Sequence, residues 1–203
     1  MAGDVRGGSK ESCLSCGGKY TGERGWHIYS TAYTFDREGR QIGKYRKMHM
    51  FDIDVEGGQY YSESSVITAG DEVCVVETEF GPIGVAICYD VRFPELFRLL
   101  AKRGAKAVVM PASFNRTTGP AHWELLMRAR ALDQEMYVLG CAAAGDLAGS
   151  YNGWGHSIAV VHGDRSWRTG RGSGHADGCS GLRKGGCSTQ SDPCFATVKD
   201  RYL

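Results

Sequence analysis

The chain has 203 residues, enough for one large domain or two small ones and for a sizeable apolar core. Its 24 basic and 23 acidic side chains leave a net charge of +1, which gives no electrostatic grip on nucleic acid or an anionic membrane surface. No apolar run approaches the roughly 18 residues that a membrane helix needs.

The first residues, MAGDVRGGSK, lack an apolar signal segment, so a cytoplasmic protein is expected. The eight cysteines are then read as thiols and not as a disulfide framework. Three of them, Cys74, Cys88 and Cys141, sit in apolar strand-like runs, where cysteine often serves as a small hydrophobe. Composition divides the chain into three zones. Residues 1–25 and 163–203 are glycine-rich and poor in large apolar side chains, so both are expected to be poorly ordered. Residues 26–162 carry the periodic apolar runs and form the expected core.

Within that core, HIYSTAYTF (27–35) alternates as a strand, DREGR (36–40) has turn chemistry, and QIGKYRKMHM (41–50) returns as a second strand. FDIDVEGGQYYSESS (51–65) reads as a loop. DEVCVVETEF (71–80) and VAICYD (85–90) are strands joined by GPIG. In the latter, Gly84, Ala86 and Cys88 share one side, so Cys88 ends a row of small side chains. PELFRLLAKRGA (94–105) has helix signals: Pro94 suits the first helical position and Gly104 the end. Phe93, Leu96, Phe97 and Leu100 make an apolar stripe along it. KAVVMPAS (106–113) is a short buried strand, and FNRTTGP (114–120) a loop. AHWELLMRARALDQEM (121–136) is a helix with Leu125, Ala129, Leu132 and Met136 on one side. YVLGCAAA (137–144) and HSIAVV (156–161) are further strands. The alternation predicts layered α/β packing with a mixed sheet.

Cys88 stands at a strand-to-helix corner, where a helix N-terminus favours thiolate. A buried structural cysteine fits that position equally well. Lys47 alternates with Tyr45 and His49; it fits an ordinary charged edge strand, or a cation beside a thiolate. Trp123 and Glu124 read as core packing and an ion pair to Arg128.

Taken together, YRKMHMFD (45–52), ICYDVRFPE (87–95) and PASFNRTTGPAHWELLMRARALDQEMYV (111–138) resemble the carbon–nitrogen hydrolase (nitrilase) superfamily. The loop FNRTTGPAHWE is most similar to its omega-amidase branch. The likeness runs from about residue 27 to about residue 160. It implies a four-layer α–β–β–α sandwich, incomplete here at both ends, and a Glu–Lys–Cys triad with a second supporting Glu. By the same resemblance Cys88 matches the nucleophile, Lys47 the lysine, and Glu63 the second glutamate. Asp90 and Arg92 match the residues after the nucleophile and are expected to brace the corner.

The implied reaction is hydrolysis of a small amide to acid and ammonia through a cysteine thioester. The omega-amidase likeness implies a dicarboxylate monoamide such as 2-oxoglutaramate. Arg92, Asn115 and Arg116 are the candidates for its distal carboxylate. No metal or organic cofactor is implied, and a homodimer is the family's usual form. The family's first glutamate has no match upstream of Lys47, since neither Glu11 nor Glu23 sits in its motif. After residue 162 the pattern also stops, as it would in an out-of-frame or misassembled end. A catalytically incomplete remnant is therefore the alternative, and poor solubility or abnormal association is expected of it. Two rivals rest on other residues: a papain-like site pairing Cys88 with His122 or His156, and a zinc module from Cys13, Cys16, Cys179, Cys187, Cys194 and His175.

Overall fold

Three sheets follow from the alternating pattern in the computed structural model, which describes residues 14–22, 25–56, 60–144, 153–161 and 164–168. The first is an antiparallel meander of β1 (Leu14–Gly22), β2 (Gly25–Phe35) and β3 (Gln41–Arg46). The DREGR turn joins β2 to β3 as expected. Asp36 Oδ1 accepts the backbone N–H groups of Glu38 and Arg40, at 3.0 and 2.8 Å. β1 lies in the zone that sequence patterning left without an element. Its glycines hide any alternation, and its pairing comes from β2. The rest of the two end zones, residues 1–13, 23–24, 163 and 169–203, lies outside the described residues.

β3 stops sooner than the alternation suggests. Its ladder closes with the Lys47 N–H on Ser30 O at 2.9 Å, after which the next backbone donors turn to side chains. The expected loop at 51–65 holds a two-stranded hairpin, β4 (Asp52–Asp54) with β5 (Tyr60–Ser62).

The large sheet contains β6 (Cys74–Thr78), β7 (Gly81–Val85), β8 (Ala107–Ala112), β9 (Tyr137–Ala142), β10 (Ile158–Val161) and β11 (Asp164–Arg168), in the order β11-β10-β9-β8-β7-β6. β7, β8 and β9 run parallel, while β6, β10 and β11 are antiparallel additions. The expected strand 85–90 ends at Val85. Residues Cys88–Arg92 instead form one short 3-10 helix, because the Ile87 N–H is taken by the Asp90 carboxyl at 2.8 Å.

Register puts Gly84, Val108, Val138 and Val160 in one row across the sheet, with Met110, Gly140 and Ile158 in the next. Helices α1 (Pro94–Lys102) and α2 (Glu124–Asp133) cover this face. The α1 stripe is as predicted: Leu96, Phe97 and Leu100 are buried, each worth about 1.5–3 kcal/mol. The stripe that the sequence marks on α2 does not form its buried side, apart from Met136 just past its end. Leu125 and Leu132 are 66 and 62 % exposed, and the inner side is instead Trp123, Met127 and Ala131. Gly140 explains the choice. A Cβ there would stand 2.5 Å from Met127 Cε and 2.6 Å from Trp123 Cζ2, so only glycine lets this helix sit down. The preceding segment, Gly119–Trp123, is wound as a single π turn. The opposite sheet face meets the meander, where Gly43 of β3 comes so close to Val76 that a Cβ would lie 2.3 Å from its Cγ1. Helices, six-stranded sheet and meander make three layers among the described residues.

Candidate active site

Cys88 follows β7 at a sharp corner, with φ +47°. A non-glycine residue in that left-handed region is strained by roughly 1–2 kcal/mol. Its thiol donates to Ser113 O at 3.7 Å, across from the end of β8. The expectation of a thiol eased toward thiolate by a helix N-terminus is not met. Burial pushes the Cys88 thiol up; a backbone hydrogen bond at Ser113 and the charge of Lys47 oppose that, while Glu63 and Asp90 add to it. The following helix is a single turn, too short to supply much dipole.

Lys47 is 3 % exposed, so its ammonium must be paired. The partner is Glu63 Oε2, which also accepts the Phe51 N–H at 2.7 Å. The Glu63 N–H returns to Phe51 O at 3.2 Å, so β4 and β5 present this carboxylate to the lysine through their own pairing. The backbone of Lys47 is held on both sides, by Ser30 and by the Gly70 N–H at 2.8 Å. The sequence match of Glu63 by position is thus accompanied by a direct contact with Lys47.

Asp90 is fully buried and gathers four donors. Oδ2 accepts from Tyr45 Oη at 2.7 Å and Ile87 N–H at 2.8 Å; Oδ1 accepts from His49 N–H at 3.1 Å and faces His49 Nδ1 at 2.7 Å. The flanks of Lys47 (Tyr45, His49) and the flank of Cys88 (Ile87) therefore meet on one carboxyl group. Sequence reading saw Asp90 as a brace but missed Tyr45. The period-two spacing of Tyr45, Lys47 and His49 held that signal. His49 also stacks on Phe93, with ring centroids 3.6 Å apart.

Lys47, Glu63 and Cys88 line one cavity of about 580 Å³, within the range of small-molecule sites. Phe51, Tyr61, Tyr89 and Phe114 form aromatic walls that sequence reasoning did not single out. Arg92 and Asn115 also line it, and Arg116 does not. Asn115 is bridged to Gly153, and Arg116 opens the turn that follows. The Asn115 Oδ1 is committed to its own loop, accepting from Thr117 N–H, Thr118 N–H and Thr118 Oγ1 at 2.8–3.1 Å. The histidines of the papain-like rival have other partners. His122 Nδ1 meets Arg92, and His156 Nδ1 meets Trp154 O at 2.7 Å. Among the described residues no group of three metal-ligating side chains forms, and Cys13, His175, Cys179, Cys187 and Cys194 lie outside them. Glu11 and Glu23 also lie outside the described residues.

The carbon–nitrogen hydrolase family pattern matches residues 10–161. The chain belongs to the carbon–nitrogen hydrolase family. This carbon–nitrogen hydrolase chain is 46 % identical over 144 residues to a hydrolase of Schizosaccharomyces pombe, covering 71 % of the chain and 45 % of that protein. It is 47 % identical over 144 residues to an omega-amidase of Xenopus tropicalis, covering 71 and 52 %. A crystal structure of a nitrilase-superfamily member from Saccharomyces cerevisiae superposes with a TM-score of 0.67 at 39 % identity, covering 78 % of this chain and 56 % of that one. The carbon–nitrogen hydrolase chain spans about half the length of the curated relatives it matches. Family membership, a mixed α/β nitrilase-type fold and similarity to omega-amidases are thereby established. The match begins near residue 10, earlier than motif reading placed it, and takes in β1.

Proposed function

We propose that the chain carries the amide-cleaving site of an omega-amidase-like hydrolase. The observation that carries the reading is the meeting of Cys88, Lys47 and Glu63 on one cavity. The Cys88 sulfur attacks the carbonyl carbon of a small amide. Lys47 and the backbone N–H after Cys88 hold the oxyanion. The C–N bond breaks, ammonia leaves with the proton, and a thioester remains. Water then hydrolyses the thioester to the acid and returns the thiol, with Glu63 supporting Lys47 and the glutamate that draws the proton unassigned among the described residues. The substrate class is a dicarboxylate monoamide, with 2-oxoglutaramate as the type, and the cationic or amide donors considered for its far carboxylate are Arg92, Asn115 and Arg116. A homodimer is the proposed assembly, supported by the exposed Leu125 and Leu132 on the outer side of α2.

A second reading, a site that is alkylated but does not turn over, is favoured by one feature. Among the described residues Glu63 is the single carboxylate lining the cavity, and its charge is engaged by Lys47. Ammonia release from 2-oxoglutaramate and from simple neutral amides, with Cys88→Ala as the blank, separates the two. Sustained release that disappears in the variant supports hydrolysis. No release, with Cys88 still alkylated by iodoacetamide, leaves the second reading.

A further inference from the structure

Three rings run in an unbroken series along the cavity, beginning at the residue after Cys88. Tyr89 and Phe51 have centroids 5.2 Å apart, and Phe51 and Tyr61 5.8 Å, both pairs tilted, within the favourable range for aromatic contacts. All three side chains line the cavity. The inner two are held on both sides, Phe51 between Tyr61 and Tyr89, and Tyr89 between Phe51 and Phe93. Among the described residues Tyr61 has a ring on one side only, and it is half exposed. It comes from β5, two residues before Glu63, so the period-two alternation that turns Glu63 to Lys47 also turns Tyr61 to the cavity. Tyr60, the residue between strand start and Tyr61, is 73 % exposed and does not line it. A terminal ring with an open face ends the series where a fourth ring would continue it. The cavity of about 580 Å³ has room for roughly twenty waters, more than a short monoamide displaces.

We propose that Tyr61 is a specificity-determining residue that stacks a planar apolar group on the acyl chain, which makes the amides of arylalkyl acids a further substrate class. This rests on the hydrolase reading for the bond cleaved and on the ring series for the group recognised. The Tyr89 end of the series adjoins the sulfur, and Tyr61 stands beyond Phe51. An amide therefore reacts at one end while a phenyl group, carried on a short methylene chain, covers Tyr61 at the other. The ring takes no part in the chemistry: the Cys88 sulfur bonds to the carbonyl carbon, the C–N bond breaks, ammonia leaves with the thiol proton, and water returns thiol and acid. Covering Tyr61 removes two apolar faces from water, and an aromatic partner adds a quadrupole contact that a saturated ring of the same size lacks.

The ring site is tested apart from turnover. The full chain is treated with N-benzyliodoacetamide or N-(cyclohexylmethyl)iodoacetamide, which have the same reach and differ in the planarity of the ring. In both, the Cys88 sulfur displaces iodide, a C–S bond forms and the thiol proton goes to solvent. The modified peptide is located by mass spectrometry, and each rate constant is divided by that of the same reagent with free cysteine. The benzyl reagent is expected to react about fivefold faster at Cys88, as one aromatic pair beyond area burial predicts. Tyr61→Leu should bring the ratio near one, and Tyr61→Phe should keep it. Tyr60→Leu, on the same hairpin but outside the cavity, should leave it unchanged. The ratio is internal to each variant, so a smaller folded fraction scales both rates alike. A wild-type ratio of one overturns the proposal, as does a ratio that survives Tyr61→Leu or is lost equally in Tyr60→Leu. Ammonia release from hydrocinnamamide and from its cyclohexyl counterpart reads the substrate class, and the same preference is expected in kcat/KM. A benzyl preference without ammonia release from any amide, 2-oxoglutaramate included, would retain the ring site and reject the hydrolase reading; release without a preference for the planar ring would do the reverse.

Discussion

Tyr45 Oη donates to Asp90 Oδ2 at 2.7 Å, and this buried contact ties the strand that leads into Lys47 to the turn that carries Cys88. The same carboxyl group holds Ile87, the residue before the strained cysteine. Asp90→Asn replaces one accepting oxygen with a donor that must face other donors. It should lower stability by about 3 kcal/mol in urea denaturation, since several buried donors lose their acceptor. Tyr45→Phe leaves one lone pair unfilled and should cost about 1 kcal/mol. A drop smaller for Asp90→Asn than for Tyr45→Phe would mean that Asp90 is not the centre of the network.

Lys47 and Glu63 form a buried ion pair, so breaking it from one side should be worse than removing it. Lys47→Met leaves a buried carboxylate alone and should cost about 3–5 kcal/mol, and Glu63→Leu about the same. The double variant should recover much of that loss. A double-mutant cycle by denaturant titration reads the coupling; additive losses would show that the pair contributes nothing as a pair.

The pH behaviour of Cys88 follows from the direction of its shift. Burial raises the thiol, so alkylation by iodoacetamide should rise with pH along a curve displaced to the alkaline side of an ordinary cysteine. Lys47→Met removes a charge that favours the thiolate and should displace the curve further. The folded chain holds this proton more tightly than the unfolded chain. Stability from this group is therefore fully present below the unfolded thiol's value near 9 and lost as pH rises through the folded value. Cys88→Ala should flatten that alkaline loss, as measured by urea midpoints across pH 7–10. A reactivity curve on the acidic side of an ordinary thiol would contradict the burial argument.

How far these features could be read from sequence depends on the range of the force that makes them. The α1 stripe was legible because Leu96, Phe97 and Leu100 repeat at the helical period, and the turn at Asp36 because its side chain bonds its own neighbours. The candidate residues Cys88 and Lys47 were legible through a family motif, and the mixed α/β fold through the alternation of strands and helices. The inner side of α2 was not. Trp123–Met127–Ala131 and Leu125–Leu132 are both apolar stripes, and Gly140, on another element, decides between them. β1 escaped for the same reason, because its strand state is set by β2. The Arg92–His122 contact joins residues 30 apart in sequence and has no local signature.

The left-handed corner offers the last prediction. Cys88 at φ +47° sits where an L side chain is strained and glycine is not. Cys88→Ala and Cys88→Gly both delete the thiol, so their difference isolates the backbone. Elsewhere glycine would be the less stable of the two by roughly 0.5–1 kcal/mol, through the greater freedom of its unfolded chain. Here relief of about 1–2 kcal/mol should outweigh that. Cys88→Gly is expected to be more stable than Cys88→Ala by somewhat under about 1 kcal/mol, a difference that parallel urea titrations can resolve. The order would reverse if the corner were unstrained in solution. The expected order would mean that Asp90, by holding Ile87, keeps the cysteine in a conformation its own chirality resists, and that the reach of the thiol toward the cavity is imposed by the surrounding fold.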